Sequence, residues 1–427
     1  MREGWLERSG VRLHYLEWEP KVEPREPALF LLHGLSSNSL VWARMAAELD
    51  SRRIVALDQR SHGLSDRPSE GYGSDELVGD AAHAIEELGL GRPLVGGHSW
   101  GASVALELAA RRPDLASGLV FVDGPPASIS RVMSWEEASE RMQPPFPIYA
   151  SLEQAVEAQR QYLGEAAWDD DLQDFVRAGL FEVDGGLTST LSVPVRLQIL
   201  ERMFHSDPPA HFPRVEGPVL LAMAGQLWPG APSEFVESRQ RAVEEVVAKR
   251  PDVQVRWYDS RHDIPLIQPG ALAVDVERTA TAAGFAALAR ETARLDGDWQ
   301  RPVHGDGEGW AARDLLAHLA STQSSLAAVV TAEPRAEGGG EARPPFDPDR
   351  WNASQISRRR EVPPADLLVE LQRAGGALHA ALMGVDLDRR VAIGPYGGRP
   401  VTEVMELMAA HQRQHLADLR TTLNQPG

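Results

Sequence analysis

Leu94-Val95-Gly96-Gly97-His98-Ser99-Trp100-Gly101-Ala102 holds the residues most able to do chemistry. A short apolar run enters the stretch and a helix-forming run, 102–112, leaves it. Between them lies Gly97-x-Ser99-x-Gly101, where strand must become helix within about one residue. The glycines make room for that turn, so the Ser99 hydroxyl projects above a sheet as a nucleophile. A serine hydroxyl is weak at neutral pH and needs a neighbouring base. The expected base is His262, in Asp259-Ser260-Arg261-His262-Asp263-Ile264-Pro265. It follows the strand pattern 253–258, which would carry it to the end of a parallel sheet where catalytic groups gather.

A second constellation lies near the C-terminus. His411-x-x-x-His415 puts two imidazoles on one helix face, at zinc-ligand spacing. His318, on another helical run, would make a three-His site with its fourth position left to water or substrate. His304 falls in a loop and His379 on a different, Ala-rich helix surface, so neither joins it.

Elements must position these groups. Residues 11–18 alternate as a strand, and 28–32, 54–57, 94–98, 118–122 and 218–224 read as buried strands. Helical patterns at 74–88 and 102–112 alternate with them, which implies a parallel sheet with crossover helices. Between Pro125 and Pro213 an insert shows helical patterns at 153–163, 169–180 and 195–204 and many aromatics, Trp135, Phe175 and Phe181 among them. It reads as a helical cap that encloses an apolar pocket over Ser99 and excludes water. Strand signals stop after Pro269. Helical runs at 271–295, about 310–320, 365–383 and 401–421 follow, with a Pro/Gly-rich loop at 334–348, the pattern of a four-helix bundle. The expected domains are 1–280, with the cap at about 125–213, and 281–427.

The 427 residues contain no cysteine, which excludes disulfides, thiolate metal sites and Cys nucleophiles. Net charge is −19. Residues 284–427 carry 16 arginines against 19 acidic residues, so most of the excess lies in the first domain. Neither part has the basic balance of a nucleic-acid binder. No apolar run reaches membrane-spanning length and no apolar signal region opens the chain, so a soluble, cytoplasmic protein with a small-molecule substrate is expected. The bundle could also pair two copies as a homodimer.

Residues 1–283 resemble the α/β-hydrolases, through His33-Gly34, the Asp58…Arg60…His62-Gly63…Ser65 loop, the Ser99 elbow, Asp123 and His262, in that order. The resemblance implies an oxyanion hole from the backbone N–H groups of Leu35 and Trp100; the Trp100 indole would roof the pocket or simply pack. It implies ordering roles for His33, His62 and His98. It implies a triad acid after a core strand. Asp123 is the favoured acid; Glu234, or no acid with Gln226 in its place, are the alternatives. A Ser rather than Asp nucleophile disfavours epoxide hydrolase and dehalogenase chemistry. It favours hydrolysis of an ester, thioester, lactone or amide without a cofactor. Residues 280–427 resemble DinB-like bundles, especially the mycothiol-dependent maleylpyruvate isomerase N-terminal type. The matching residues are Gly309-Trp310-x-x-Arg313-Asp314-Leu-Leu-x-His318, Trp351-Asn352, Gly397-Gly398-Arg399-Pro400-Val401 and His411-x-x-x-His415. That resemblance implies a divalent metal, zinc foremost, at His318, His411 and His415. No residue is diagnostic for a thiol cofactor. Two other readings stay open: a metal- and thiol-dependent transferase or isomerase with an auxiliary hydrolase half, and a non-catalytic small-molecule-binding protein.

Overall fold

The computed structural model describes residues 1–142, 146–226, 233–303, 309–333 and 346–424, with side chains from 236 onward in the third segment. The chain divides into two compact units, Met1–Ala280 and Thr281–Gly427.

The first unit is built on eight strands: β1 (Arg2–Arg8), β2 (Val11–Trp18), β3 (Leu29–Leu32), β4 (Ile54–Leu57), β5 (Leu94–His98), β6 (Gly118–Val122), β9 (Val219–Ala224) and β10 (Gln254–Tyr258). Their order is β1-β2-β4-β3-β5-β6-β9-β10. From β4 to β10 every neighbour is parallel, while β1 and β2 form an antiparallel edge. Strands β3, β4, β5, β6 and β9 are buried at every residue, which explains their unbroken apolar runs. Helices α1 (Ala43–Ala47), α2 (Ser74–Glu87) and α3 (Trp100–Arg111) accompany the first strands. The edge strand β1 had no signal in the sequence pattern.

The insert holds α4 (Trp135–Arg141), α5 (Leu152–Leu163), α6 (Leu172–Ala178), a hairpin of β7 (Leu180–Val183) and β8 (Gly186–Ser189), α7 (Val193–His205) and α8 (Pro208–His211). The hairpin corrects the expectation of helix to residue 180. Asp184 and Gly185 (φ +94°) form a two-residue turn, the preferred chemistry for a tight hairpin, and Gly179 closes α6 before it. The cap aromatics serve mostly as packing: Trp135 meets Phe204 edge-on at 5.5 Å, and Arg67 lies over Phe181. The sheet is completed by α9 (Ser233–Lys249) before β10, and by α10 (Ile264–Ile267) after it.

Helix α11 (Pro269–Ala293) contains the division between the units. The second unit continues with α12 (Ala312–Thr331), α13 (Pro348–Arg358), α14 (Pro364–Met383) and α15 (Val401–Leu423). Its apolar cores combine Phe285 and Leu326 with Leu378, Val404 and Met408, and Leu315 with Leu371 and Leu419. Helix α13 begins at the end of the expected 334–348 loop and had no helical pattern assigned to it; residues 334–345 of that loop, and His304, lie outside the described residues. No helix among the described residues is long and apolar enough to cross a membrane.

Candidate active site

Four parallel strands end at one edge, and each delivers one piece of chemistry. Strand β5 ends at Ser99, which adopts φ +55°, ψ −121° as the cap of α3. This left-handed conformation is costly for a non-glycine residue, about 1–3 kcal/mol, and is characteristic of functional turns. The glycines make it possible. A Cβ on Gly97 would strike the Gly101 backbone, and one on Gly101 would strike the carbonyls of Leu32 and His33. Strand β6 ends at Asp123, also strained at φ +43°. Strand β10 leads to the loop of His262.

The loops bring Asp123 and His262 together: His262 Nδ1 donates to Asp123 Oδ2 at 2.7 Å. That fixes the neutral tautomer and leaves Nε2 as the basic nitrogen. Desolvation works against the charged imidazolium, but the hydrogen bond and charge of Asp123 outweigh it, helped by Asp263. The His262 pKa lies above its ordinary value. Asp123 is nearly buried, which alone would raise its pKa; His262, the Arg239 charge and the Ala224 N–H together hold it low.

Strand β3 supplies the His33-Gly34-Leu35-Ser36 loop. A Cβ on Gly34 would lie 3.1 Å from Ser99 Cβ, so this loop passes directly against the elbow. Buried His33 orders it. Its Nδ1 donates to Gly34 O at 2.7 Å, and its Nε2 accepts from Gln59 N at 3.0 Å. His62 accepts from Ser36 N at 3.1 Å; burial, then the neighbouring His33 charge, pushes its pKa down to about 3, so it is neutral. Trp100 opens α3, so its N–H has no intrahelical acceptor. Its indole is wholly buried and stacked on His62 at 5.2 Å, as a packing residue is.

The cap is tied to both catalytic loops. Asn38 Nδ2 donates to Phe175 O, and Arg196 Nη1 to Ser36 Oγ. On the other side Tyr162 OH donates to Asp263 Oδ2, while Arg261 donates to the carbonyls of Tyr162 and Leu163.

In the second unit His318 of α12 meets His411 and His415 of α15. His411 Nε2 lies 3.1 Å from both other Nε2 atoms, and a ligand atom from each residue falls within 4.8 Å of the rest. His415 Nδ1 donates to Asp418 Oδ2 at 3.3 Å. Burial first, then the two other imidazoles, push His318 to about 3 against the opposing pull of Asn352. Neutral imidazoles that converge in this way can each offer a ring-nitrogen lone pair to one cation. Two nitrogens bound to one tetrahedral ion at ~2.0–2.1 Å are about 3.3 Å apart, close to the spacing seen. The donor set therefore fits a divalent metal. His379 is buried elsewhere on α14 and does not contribute.

Residues 27–162 match the family model described as the alpha/beta hydrolase fold, and 280–420 match the Mycothiol maleylpyruvate isomerase N-terminal domain. A 2-(acetamidomethylene)succinate hydrolase of Mesorhizobium japonicum is 30% identical over 230 residues, 54% of this chain and 78% of that protein. The chain belongs to the α/β-hydrolase family. Epoxide hydrolase B of Mycobacterium tuberculosis is 34% identical over 124 residues, but the match spans 28% of this chain and only 35% of that enzyme. Among solved structures, E-2-(acetamidomethylene)succinate hydrolase shares the fold at a TM-score of 0.55 and 23% identity, covering 65% of this chain and 98% of that one. The thioesterase domain of a curacin pathway does so at 0.52 and 19%, covering 64% and 98%.

The chain is thus a hydrolase, and some of the contacts around Asp123 and His262 gave no signal in the sequence. Arg239 of α9 forms an ion pair with Asp123 Oδ1, the oxygen that His262 leaves free. His98 Nε2 donates to the His262 carbonyl at 2.9 Å, which pins the loop of the base; burial, then the His262 charge, lowers His98 to about 4. Gln226 donates to Asp259 Oδ1 at 2.6 Å and so is engaged away from His262. The side chain of Glu234 lies outside the described residues.

Proposed function

We propose that this α/β-hydrolase cleaves a small-molecule ester, thioester, lactone or amide through Ser99, His262 and Asp123. The observation that carries the reading is the 2.7 Å His262–Asp123 hydrogen bond, at the sheet edge where Ser99 occupies its strained turn. Ser99 Oγ attacks the acyl carbon as His262 Nε2 takes its proton. Asp123 holds the imidazole's tautomer and stabilises the imidazolium, while Arg239 keeps Asp123 ionised. The amides of Leu35 and Trp100 receive the developing oxyanion. His262 returns the proton to the leaving group, then activates water to release the acid. A serine at the elbow, with no carboxylate there to form an alkyl-enzyme ester, separates this chemistry from that named for the epoxide hydrolase relatives.

His318, His411 and His415 are the residues that would hold a divalent metal, zinc by their nitrogen chemistry. Such an ion would supply Lewis acidity for a bound water or thiol. Asp418 orients His415 for that role, and such outer partners contribute much of a site's affinity.

The test is labelling with a serine-directed fluorophosphonate together with p-nitrophenyl ester hydrolysis. Wild type should be labelled at Ser99 and turn over the ester; Ser99→Ala should do neither. Labelling that fails on folded wild-type protein would leave the binding-protein reading in its place.

A further inference from the structure

The cap helix α7 carries a cation that no carboxylate among the described residues neutralises. Arg196 is 9% exposed. Its Nε and Nη2 donate to Met142 O at 3.0 and 2.9 Å, and its Nη1 donates to Ser36 Oγ at 2.7 Å. All these acceptors are uncharged. Guanidinium has five N–H groups, so one on each terminal nitrogen is left without an acceptor among the described residues. Burial lowers the Arg196 pKa to about 10 and no acid raises it, yet the group stays charged at neutral pH. A buried charge without a counter-charge is expensive unless something supplies one. Three other cap and loop arginines find acids: Arg44 pairs with Asp169, Arg202 with Glu107 and Arg131 with Asp207.

The place of this charge gives it meaning. Ser36 follows Leu35, whose amide faces the developing oxyanion in the proposed mechanism. Gly34, two residues from Ser36, abuts Ser99, and two residues of chain span at most ~7 Å. Ser36 is itself held at φ +59°, so the contact point is fixed. Arg196 therefore bears on the same short loop that passes against the Ser99 elbow.

We propose that Arg196 binds a carboxylate of the substrate, so that the preferred substrates are anionic acyl compounds with a carboxylate a few bonds from the scissile carbonyl. This rests on the assignment of Ser99 and His262 as the hydrolytic site. The two remaining N–H groups suit the two oxygens of a carboxylate, a pairing that arginine forms more strongly than lysine does.

Full-length Ser99→Ala protein is titrated calorimetrically with monoethyl succinate, monoethyl glutarate and the neutral match ethyl butanoate. At least one half-ester should bind tenfold or more tightly than ethyl butanoate. Arg196→Gln in the same background should lose that preference, and Arg196→Lys should keep part of it, since lysine retains the charge without the fork. Thermal unfolding of each variant verifies the fold. Half-esters that bind no better than ethyl butanoate overturn the proposal, as does a preference that survives Arg196→Gln. Fluorophosphonate labelling of wild type separates the two readings. Labelled Ser99 without carboxylate preference removes only the role of Arg196. Carboxylate binding that depends on Arg196 without labelling removes only the hydrolytic reading.

Discussion

The two clusters of titratable groups are built by opposite means. The Ser99 site is assembled on loops, from residues at the ends of separate strands, with Ser36, Ser99 and Asp123 all in left-handed backbone conformations. The His318–His411–His415 cluster is assembled on regular helices, with two of its members fixed by one turn of α15. In the first, burial and charge push partners apart in pKa: His262 goes up and His98 and His62 go down. That divergence accords with the proposed roles, His262 as base and the others as scaffolding. In the second, three imidazoles face one another, with Asp418 behind His415, a donor set that suits a cation.

Several measurements would break or sharpen this contrast. The largest effect should come from the nucleophile. Ser99→Ala should reduce ester turnover by roughly 10⁴-fold or more, while metal content measured by atomic emission stays that of wild type. Asp123→Asn should follow, with a kcat loss of about 10³–10⁴-fold from the wrong tautomer. Retained activity in that variant would move the acid elsewhere, Glu234 first. His98→Phe removes the donor to the His262 carbonyl but leaves every reacting atom. A small displacement of the base should cost kcat about 10²-fold with KM little changed, and an unchanged kcat would reduce His98 to packing.

On the bundle side, His411→Ala should abolish tight zinc binding with ester turnover unaffected. Asp418→Asn should weaken zinc binding about 10–100-fold in a competition titration. A loss of esterase activity on chelation would break the separation of the two clusters.

The pH profile gives a finer test. The base must be neutral to accept a proton, and its pKa is raised by Asp123. The kcat/KM should therefore rise with pH through a midpoint above about 6.5. In Asp123→Asn, whatever activity remains should rise through a lower midpoint, since the stabilising charge is gone.

How much of this could be read from the sequence follows from how far apart the partners lie. The elbow is local: its glycines and serine sit within five residues, and the steric reason for them is contained there. The His411–His415 pair is equally local, a matter of helical spacing. Asp123 and His262 needed the strand order, since 139 residues separate them. Their positions at strand ends were legible, but the choice between Asp123 and Glu234 was not. Arg239 and Arg196 were invisible, and for His98 only an ordering role was legible and not its partner, because each acts on a residue 116, 160 or 164 positions away and nothing in their neighbours' types announces it. For Trp100 residue type left two places open, over the pocket or in the packing. The β7–β8 hairpin was missed although its Asp184-Gly185 turn was in plain view, because the preceding apolar residues also fit a helix.

The central claim is that Ser99, His262 and Asp123 form one working unit. Its most direct test is the rate of fluorophosphonate labelling at Ser99, followed by mass spectrometry, in wild type, His262→Ala and Asp123→Asn. The account predicts stoichiometric labelling of wild type at Ser99, with rates that collapse in both variants although the proteins remain folded. Labelling of Ser99 at the wild-type rate in either variant would contradict it.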